Sequence, residues 1–200
     1  MTKPSTFVLI RHGESEGIYE RLAGRSAGFG LNTTGLEQAH LTGEHVARRL
    51  KISHIYSSPR QRARETAAIL GTHCGCEVDI NEAFDECAYG DWTGRKFSDL
   101  EKIEEWSTFN AFRSAVAAPG GESVRDVQCR AVAEILRIRA ALDAQAIAIV
   151  THADVIRSIV TFFAGVPLDL LLRFTIDPAS VTVIELAENQ CRIQCVNRTS

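Results

Sequence analysis

Two apolar runs in this chain have no polar alternation at all, and each stops abruptly at a histidine. Thr6-Phe7-Val8-Leu9-Ile10 ends at Arg11-His12-Gly13-Glu14-Ser15, and Ala146-Ile147-Ala148-Ile149-Val150 ends at Thr151-His152. Runs of this length and continuity read as strands buried on both faces. His54-Ile55-Tyr56-Ser57 and Glu77-Val78-Asp79-Ile80 are shorter strand candidates. Val181 to Leu186 and Cys191 to Val196 read as two closing strands joined by a turn at Glu188-Asn189.

Helical spacing fills the intervals. Leu36, Ala39, Gly43, Val46, Ala47 and Leu50 predict a helix over 34–50, with Asn32, Thr33 or Thr34 as its cap. A second helix is expected over 60–70 with Pro59 near its first turn. A third is expected around 97–106, and a long amphipathic helix over 122–142 faces inward through Val124, Val127, Ala131, Ile135, Ile138 and Leu142. Helices at 153–163 and near 168–173 complete the set, while 11–32 and 82–96 read as irregular. Strands alternating with helices predict an α/β fold: a three-layer α/β/α sandwich on a mostly parallel central sheet. With no repeat or linker in sight, residues 1–200 are expected to form a single domain.

Charge and composition narrow the partners. The net charge of −3 gives no global attraction to nucleic acid or to an anionic membrane, so a site for an anionic substrate must be locally basic. No apolar stretch is long enough to span a bilayer. The segment Met1-Thr2-Lys3-Pro4-Ser5-Thr6 lacks the features of a secretory signal, and a cytoplasmic protein is expected. The 6 cysteines are too sparse for a disulfide scaffold and read as free thiols. Cys74-Gly75-Cys76 beside His73 is the one conceivable metal cluster, but its spacing is unlike a metal knuckle, and no metal or other cofactor is expected.

Ligands of open α/β sheets bind at the carboxyl ends of the strands, against helix N-termini. His12 and His152 therefore reach one crevice if their strands are neighbours, and the strand ending at Ser57-Ser58 delivers Arg60, Arg62 and Arg64 to the same edge. Guanidinium groups fork onto phosphate oxygens, and an imidazole can carry a phosphoryl group as a covalent intermediate. The leaving alcohol then needs a proton, and the irregular segment at Asp85-Glu86 is the natural source. Each residue alone has an ordinary structural reading. The coincidence of type and place favours a phosphate site.

Leu9-Ile10-Arg11-His12-Gly13-Glu14-Ser15 resembles the signature of the phosphoglycerate-mutase-like histidine phosphatase superfamily. Four further stretches resemble that family's blocks in the family's order. They are Ser57-Ser58-Pro59-Arg60-Gln61-Arg62-Ala63-Arg64-Glu65-Thr66-Ala67, Phe84-Asp85-Glu86-Cys87-Ala88-Tyr89-Gly90-Asp91-Trp92-Thr93-Gly94, Pro119-Gly120-Gly121-Glu122-Ser123 and Val150-Thr151-His152. The resemblance implies a phosphoglycerate-mutase-like fold, His12 as nucleophile, Arg11, Arg62 and His152 holding the phosphoryl oxygens, and Glu86 as proton donor. It also implies Ser15 and the residue after the second histidine, Ala153, as substrate contacts. A bound phosphoryl group is expected to favour protonated His152.

Two positions depart from the family pattern. Ile18 stands where many members have Asn, and Ala153 where most have Gly. Leu22-Ala23-Gly24-Arg25, Asp91-Trp92-Thr93-Gly94-Arg95-Lys96 and Asp177-Pro178-Ala179-Ser180-Val181 are similar to a short bacterial branch of phosphatases or phosphomutases. The expected activity is hydrolysis of a small phosphorylated metabolite with inorganic phosphate as product. A phosphomutase and a non-catalytic phospho-ligand-binding domain are the alternatives, and a homodimer is left open. Segments 18–30 and 95–118 are expected to shape the pocket mouth. Arg25, Phe29, Trp106, Phe109 and Phe112 are candidates to face substrate, and Arg113 or Arg173 to meet a distal anionic group.

Overall fold

A computed structural model of the chain describes residues 4–142, 145–188 and 190–199. Its centre is a six-stranded sheet of β1 (Ser5–Arg11), β2 (His54–Ser57), β3 (Val78–Ile80), β4 (Ala146–Thr151), β5 (Val181–Leu186) and β6 (Cys191–Arg198), in the order β3-β2-β4-β1-β5-β6. The first four in that order run parallel, and β5 and β6 close one edge antiparallel. The expected turn at Glu188-Asn189 falls partly outside the described residues, as do Met1, Thr2 and Lys3 of the N-terminal stretch.

Both central strands are continuous in apolar character because both faces of the sheet are covered. Alternating side chains serve opposite layers. Phe7, Leu9, Ile147 and Ile149 pack against α5 (Val124–Ala141) and α6 (Ala153–Ala164). Val8, Ile10, Ala148 and Val150 pack against α1 (Thr33–Arg49) and α2 (Gln61–Cys74). The short helices α3 (Phe97–Leu100) and α4 (Glu104–Ala111) add Leu100 and Phe109 to the first of these layers.

Local signals set the helix limits. Asn32 caps α1 by accepting from the Gly35 amide at 2.8 Å. Ser123 and Asp126 form a reciprocal capping box on α5. Two expectations need correcting. Pro59 lies before the cap of α2, which is Arg60, because β2 ends at Ser57 and the chain bends at Pro59-Arg60 before the helix begins at Gln61. The single helix expected over 97–106 is two helices, broken at Glu101-Lys102-Ile103, and the second runs on to Ala111.

Candidate active site

The register of the two central strands builds the site. Arg11 stands opposite Thr151 across β1 and β4, so the next residues, His12 and His152, leave the sheet side by side. The His12 amide donates to the Thr151 carbonyl at 2.9 Å, and the two imidazole centroids lie 5.2 Å apart. Gly13 is held to glycine by a close approach: a Cβ there would sit 2.4 Å from the Gly35 carbonyl oxygen at the start of α1.

His12 Nδ1 lies 2.7 Å from the Gly13 carbonyl oxygen, which only an N–H can satisfy, so Nδ1 carries the proton. Nε2 keeps its lone pair and accepts from Arg62 Nε at 3.1 Å. Burial, with Arg62 and Arg11 alongside, holds His12 well below the ordinary imidazole pKa. The same causes, burial first and Arg62 second, lower His152. Arg62 Nη2 lies 3.2 Å from His152 Nδ1, and Nε2 of that ring lies 2.7 Å from the Ser58 hydroxyl. Ser58 in turn donates to Asp85 Oδ1 at 3.3 Å, which makes its oxygen the acceptor for the His152 Nε2–H. Both rings are therefore neutral in the unliganded protein.

Glu86 completes the cluster. Its Oε2 is 3.5 Å from His152 Nδ1 and 3.7 Å from Arg62 Nη2. Burial pushes its pKa up to about 7 against the pull of Arg62, so the carboxyl holds a proton near neutral pH. The loop that carries it is clamped from several sides. Asp85 pairs with Arg60 at 2.9 Å and Arg25 at 3.2 Å. Arg130 of α5 donates to the carbonyls of Ala83 and Asp85, each at 2.7 Å. Glu122 accepts from Arg25 at 2.7 Å, from Arg130 at 3.0 Å and from the Ala88 amide at 2.8 Å. Gly90, at φ +50°, lets the loop run against Pro119, whose carbonyl oxygen would lie 2.0 Å from a Cβ.

These groups surround a pocket of about 210 Å³ lined among others by Arg11, His12, Ser15, Ile18, Arg62, Glu86 and Ala153. Arg11 Nε and Arg62 Nη1 are buried there with no hydrogen-bond partner, a donor set that suits phosphoryl oxygens. His152 is fully buried and outside the lining, reached through Arg62 and Glu86.

A family model described as the histidine phosphatase superfamily, branch 1, matches residues 7–199. The chain belongs to the histidine phosphatase superfamily. As a member it is an enzyme of the phosphatase type, built on that family's fold. Phosphoglycerate mutase-like protein 4 of Arabidopsis thaliana is 36% identical over 156 residues, covering 76% of this chain and 68% of that protein. The bifunctional protein Rv2228c of Mycobacterium tuberculosis is 28% identical over 198 residues, and this chain, 98% of it covered, spans only 54% of that protein's length. Among solved structures, YhfR of Bacillus stearothermophilus superposes with a TM-score of 0.90 at 26% identity, covering 98% of each chain. A mycobacterial glucosyl-3-phosphoglycerate phosphatase, at 22% identity, shares the fold with a TM-score of 0.89 over 98% of this chain and 100% of its own.

Several candidates of this histidine phosphatase fall elsewhere. Arg64 is exposed on α2, and Arg60 and Arg25 serve Asp85 instead of the pocket. Phe109 is core, Phe112 and Arg173 are exposed, and Phe29 is not part of the lining. Trp106 and Arg113 do line it. Arg21 and Phe97 line it too, within the segments 18–30 and 95–118 expected at the mouth, whereas sequence reasoning missed Tyr89, Asp154, Arg157 and Leu172 as wall residues. Only the placement of Asp154 two residues after His152, on the first turn of α6, was a signal that could have found one of them. The Cys74-Gly75-Cys76 stretch ends α2, with Cys76 Sγ turned to the Ile52 carbonyl and the His73 ring against His40. Among the described residues no three histidine, cysteine or acidic side chains come together as a metal cluster. No helix there is long and apolar enough to cross a membrane.

Proposed function

We propose that this chain is a metal-independent phosphatase that hydrolyses a small phosphomonoester through a phosphohistidine at His12. The observation that carries this reading is the tautomer of His12. The Gly13 carbonyl takes its Nδ1–H, which leaves the Nε2 lone pair facing Arg62 in the pocket. When a phosphoryl group enters, its oxygens take over the guanidinium donors of Arg62 and Arg11, and Nε2 is released to attack phosphorus. The bond from phosphorus to the leaving oxygen breaks as Glu86 delivers its proton to that oxygen. Water then attacks the phosphohistidine while the Glu86 carboxylate accepts a proton, and inorganic phosphate leaves.

The incoming negative charge favours a proton on His152, which then holds a phosphoryl oxygen together with Arg11 and Arg62. The Ser15 hydroxyl and the Ala153 amide at the start of α6 are further contacts, since helix N-termini attract phosphate. The charge is met by guanidinium and imidazolium groups, so the route calls for no metal ion. A phosphomutase is the second reading, favoured by the mutase-like name of the plant relative; such an enzyme must return the phosphoryl group to a second hydroxyl. Release of inorganic phosphate from an aryl phosphate, with an acid-labile phosphoenzyme trapped in the wild type and absent from His12→Ala, is the expected result. Equal hydrolysis by His12→Ala and wild type defeats the catalytic reading, and transfer to an acceptor alcohol in place of water turns it to the mutase.

A further inference from the structure

The outer part of the pocket has a chemistry the phosphoryl end does not use. Exposure rises from the buried His12 and Arg62 to half-buried Ile18, Phe97 and Trp106 and to Leu172 at 48% exposed, so these apolar side chains form the wall a leaving group meets. Trp106 is braced by Phe109, stacked at 6.0 Å, and meets Trp92 edge-on at 5.3 Å, which makes it a fixed surface.

Two arginines also reach this wall, and both pair with one carboxylate. Arg113 Nη1 donates to Asp154 Oδ2 at 2.6 Å, and Arg157 Nη1 donates to Asp154 Oδ1 at 2.9 Å. The Tyr89 hydroxyl adds a third bond to Oδ2 at 2.8 Å. Of their other donors, Arg157 Nε goes to the Phe174 carbonyl at 2.8 Å and Arg113 Nη2 to Asn110, the Arg113 guanidinium lies 4.7 Å over the Phe109 ring, and Arg113 Nε is buried without a hydrogen-bond partner. Burial opposes charge on Asp154, but Arg113 and Arg157 outweigh it and keep the carboxyl well below the usual carboxylate range. An internal anion thus takes up a terminal donor of each arginine and cancels one of their two charges, so a ligand's second anionic group is held less strongly than two free guanidinium groups would hold it. Arg21 is the cation left over, exposed and bound to the Gly94 carbonyl at 3.0 Å.

Resting on the phosphatase reading above, we infer that Asp154 is a specificity determinant that weakens the outer pocket's hold on a second anionic group. The substrate is then a phosphomonoester whose leaving alcohol is uncharged and presents a planar or apolar face to Phe97, Trp106 and Leu172.

The test compares kcat/KM for naphthyl phosphate with that for the same ester carrying a ring carboxylate, and with 3-phosphoglycerate. Wild type prefers the uncharged ester by roughly tenfold or more, the effect of about 1.4 kcal/mol in the transition state. Asp154→Asn, checked for folding by thermal melt, shrinks that preference roughly tenfold by gaining on the carboxylated ester. Trp106→Ala loses more on naphthyl phosphate than on ethyl phosphate, and this ratio decides the matter if the Asp154 variant does not fold. Equal or better turnover of the carboxylated ester by wild type overturns the inference, as does a preference unmoved in a folded Asp154→Asn. Those results leave the phosphatase reading standing. It fails separately, if neither ester releases phosphate or if His12→Ala releases it as fast.

Discussion

Protons at two residues set when the site is competent. Glu86 gives up its proton at about pH 7 because burial disfavours its anion, so the donor form is populated below that pH and lost above it. His12 is lowered by burial and by Arg62 and Arg11, so it stays neutral and nucleophilic through the acid range where a free imidazole would be charged. The product of the two fractions predicts activity that persists below pH 6.5 and falls as pH rises through about 7, most steeply for alkyl esters, whose leaving groups need the proton. A pH–rate profile checks this. Glu86→Gln removes the limb near pH 7 and lowers kcat for alkyl esters by roughly 10²- to 10⁴-fold, with a smaller loss for aryl esters. Arg11, His12, Arg62, Glu86 and His152 were legible at this scale because each sits in a distinctive local string. Asp154 and Arg157 were not, because their meaning depends on Arg113, 41 residues before Asp154 in the chain.

Elements matter here mainly as clamps. The segment carrying Glu86 has two single 3-10 turns at Glu82–Phe84 and Gly90–Trp92 and no strand of its own, so its position is owed to Arg25, Arg60, Arg130 and Glu122. Glu122→Ala strips acceptors from Arg25, Arg130 and the Ala88 amide at once. The expected cost is about 2 kcal/mol, discounted for partial exposure, which lowers Tm by roughly 4–8 °C in a chain of this size. A fall in kcat accompanies it, because Glu86 loses its fixed approach to the leaving oxygen. Ser123→Ala, one residue on, removes only the cap of α5. It costs about 1 kcal/mol and leaves kcat per folded molecule unchanged. Thermal melts and kinetics of the two variants together separate clamping from simple destabilisation. The Pro119-Gly120-Gly121-Glu122-Ser123 string was visible in the sequence as a helix start, but its bond to the Glu86 loop was not, since the partners lie 34 residues apart.

The whole molecule carries a net charge of −3 and yet gathers Arg11, Arg21, Arg62, Arg113 and Arg157 around one pocket that holds only two acids, Glu86 and Asp154. Inorganic phosphate or vanadate bound at the Arg11–Arg62 end stabilises the folded state by mass action, about 2.7 kcal/mol when the ligand is at 100 times its Kd. A rise in Tm with phosphate that vanishes in Arg62→Ala is the expected readout, and a chelator leaves hydrolysis unaltered. No rise in the folded wild type would remove the anion site from the account.

The sequence by itself determined the alternation of strands and helices, because period and capping are local. Asn32 and Ser123 act on amides three residues away, and an unbroken run such as Ala146 to Val150 can hide its backbone only inside a sheet. It also determined which residues carry reactive groups. Tertiary structure alone decided that β1 and β4 are neighbours in a register that sets His12 beside His152. It also decided that Arg60 and Arg25 would be spent on Asp85, and that Asp154 would pair with both Arg113 and Arg157. Those outcomes depend on contacts between segments far apart in the chain. A guanidinium reads the same along the sequence whether it faces phosphate, solvent or a buried carboxylate, and only the position of its partner settles which.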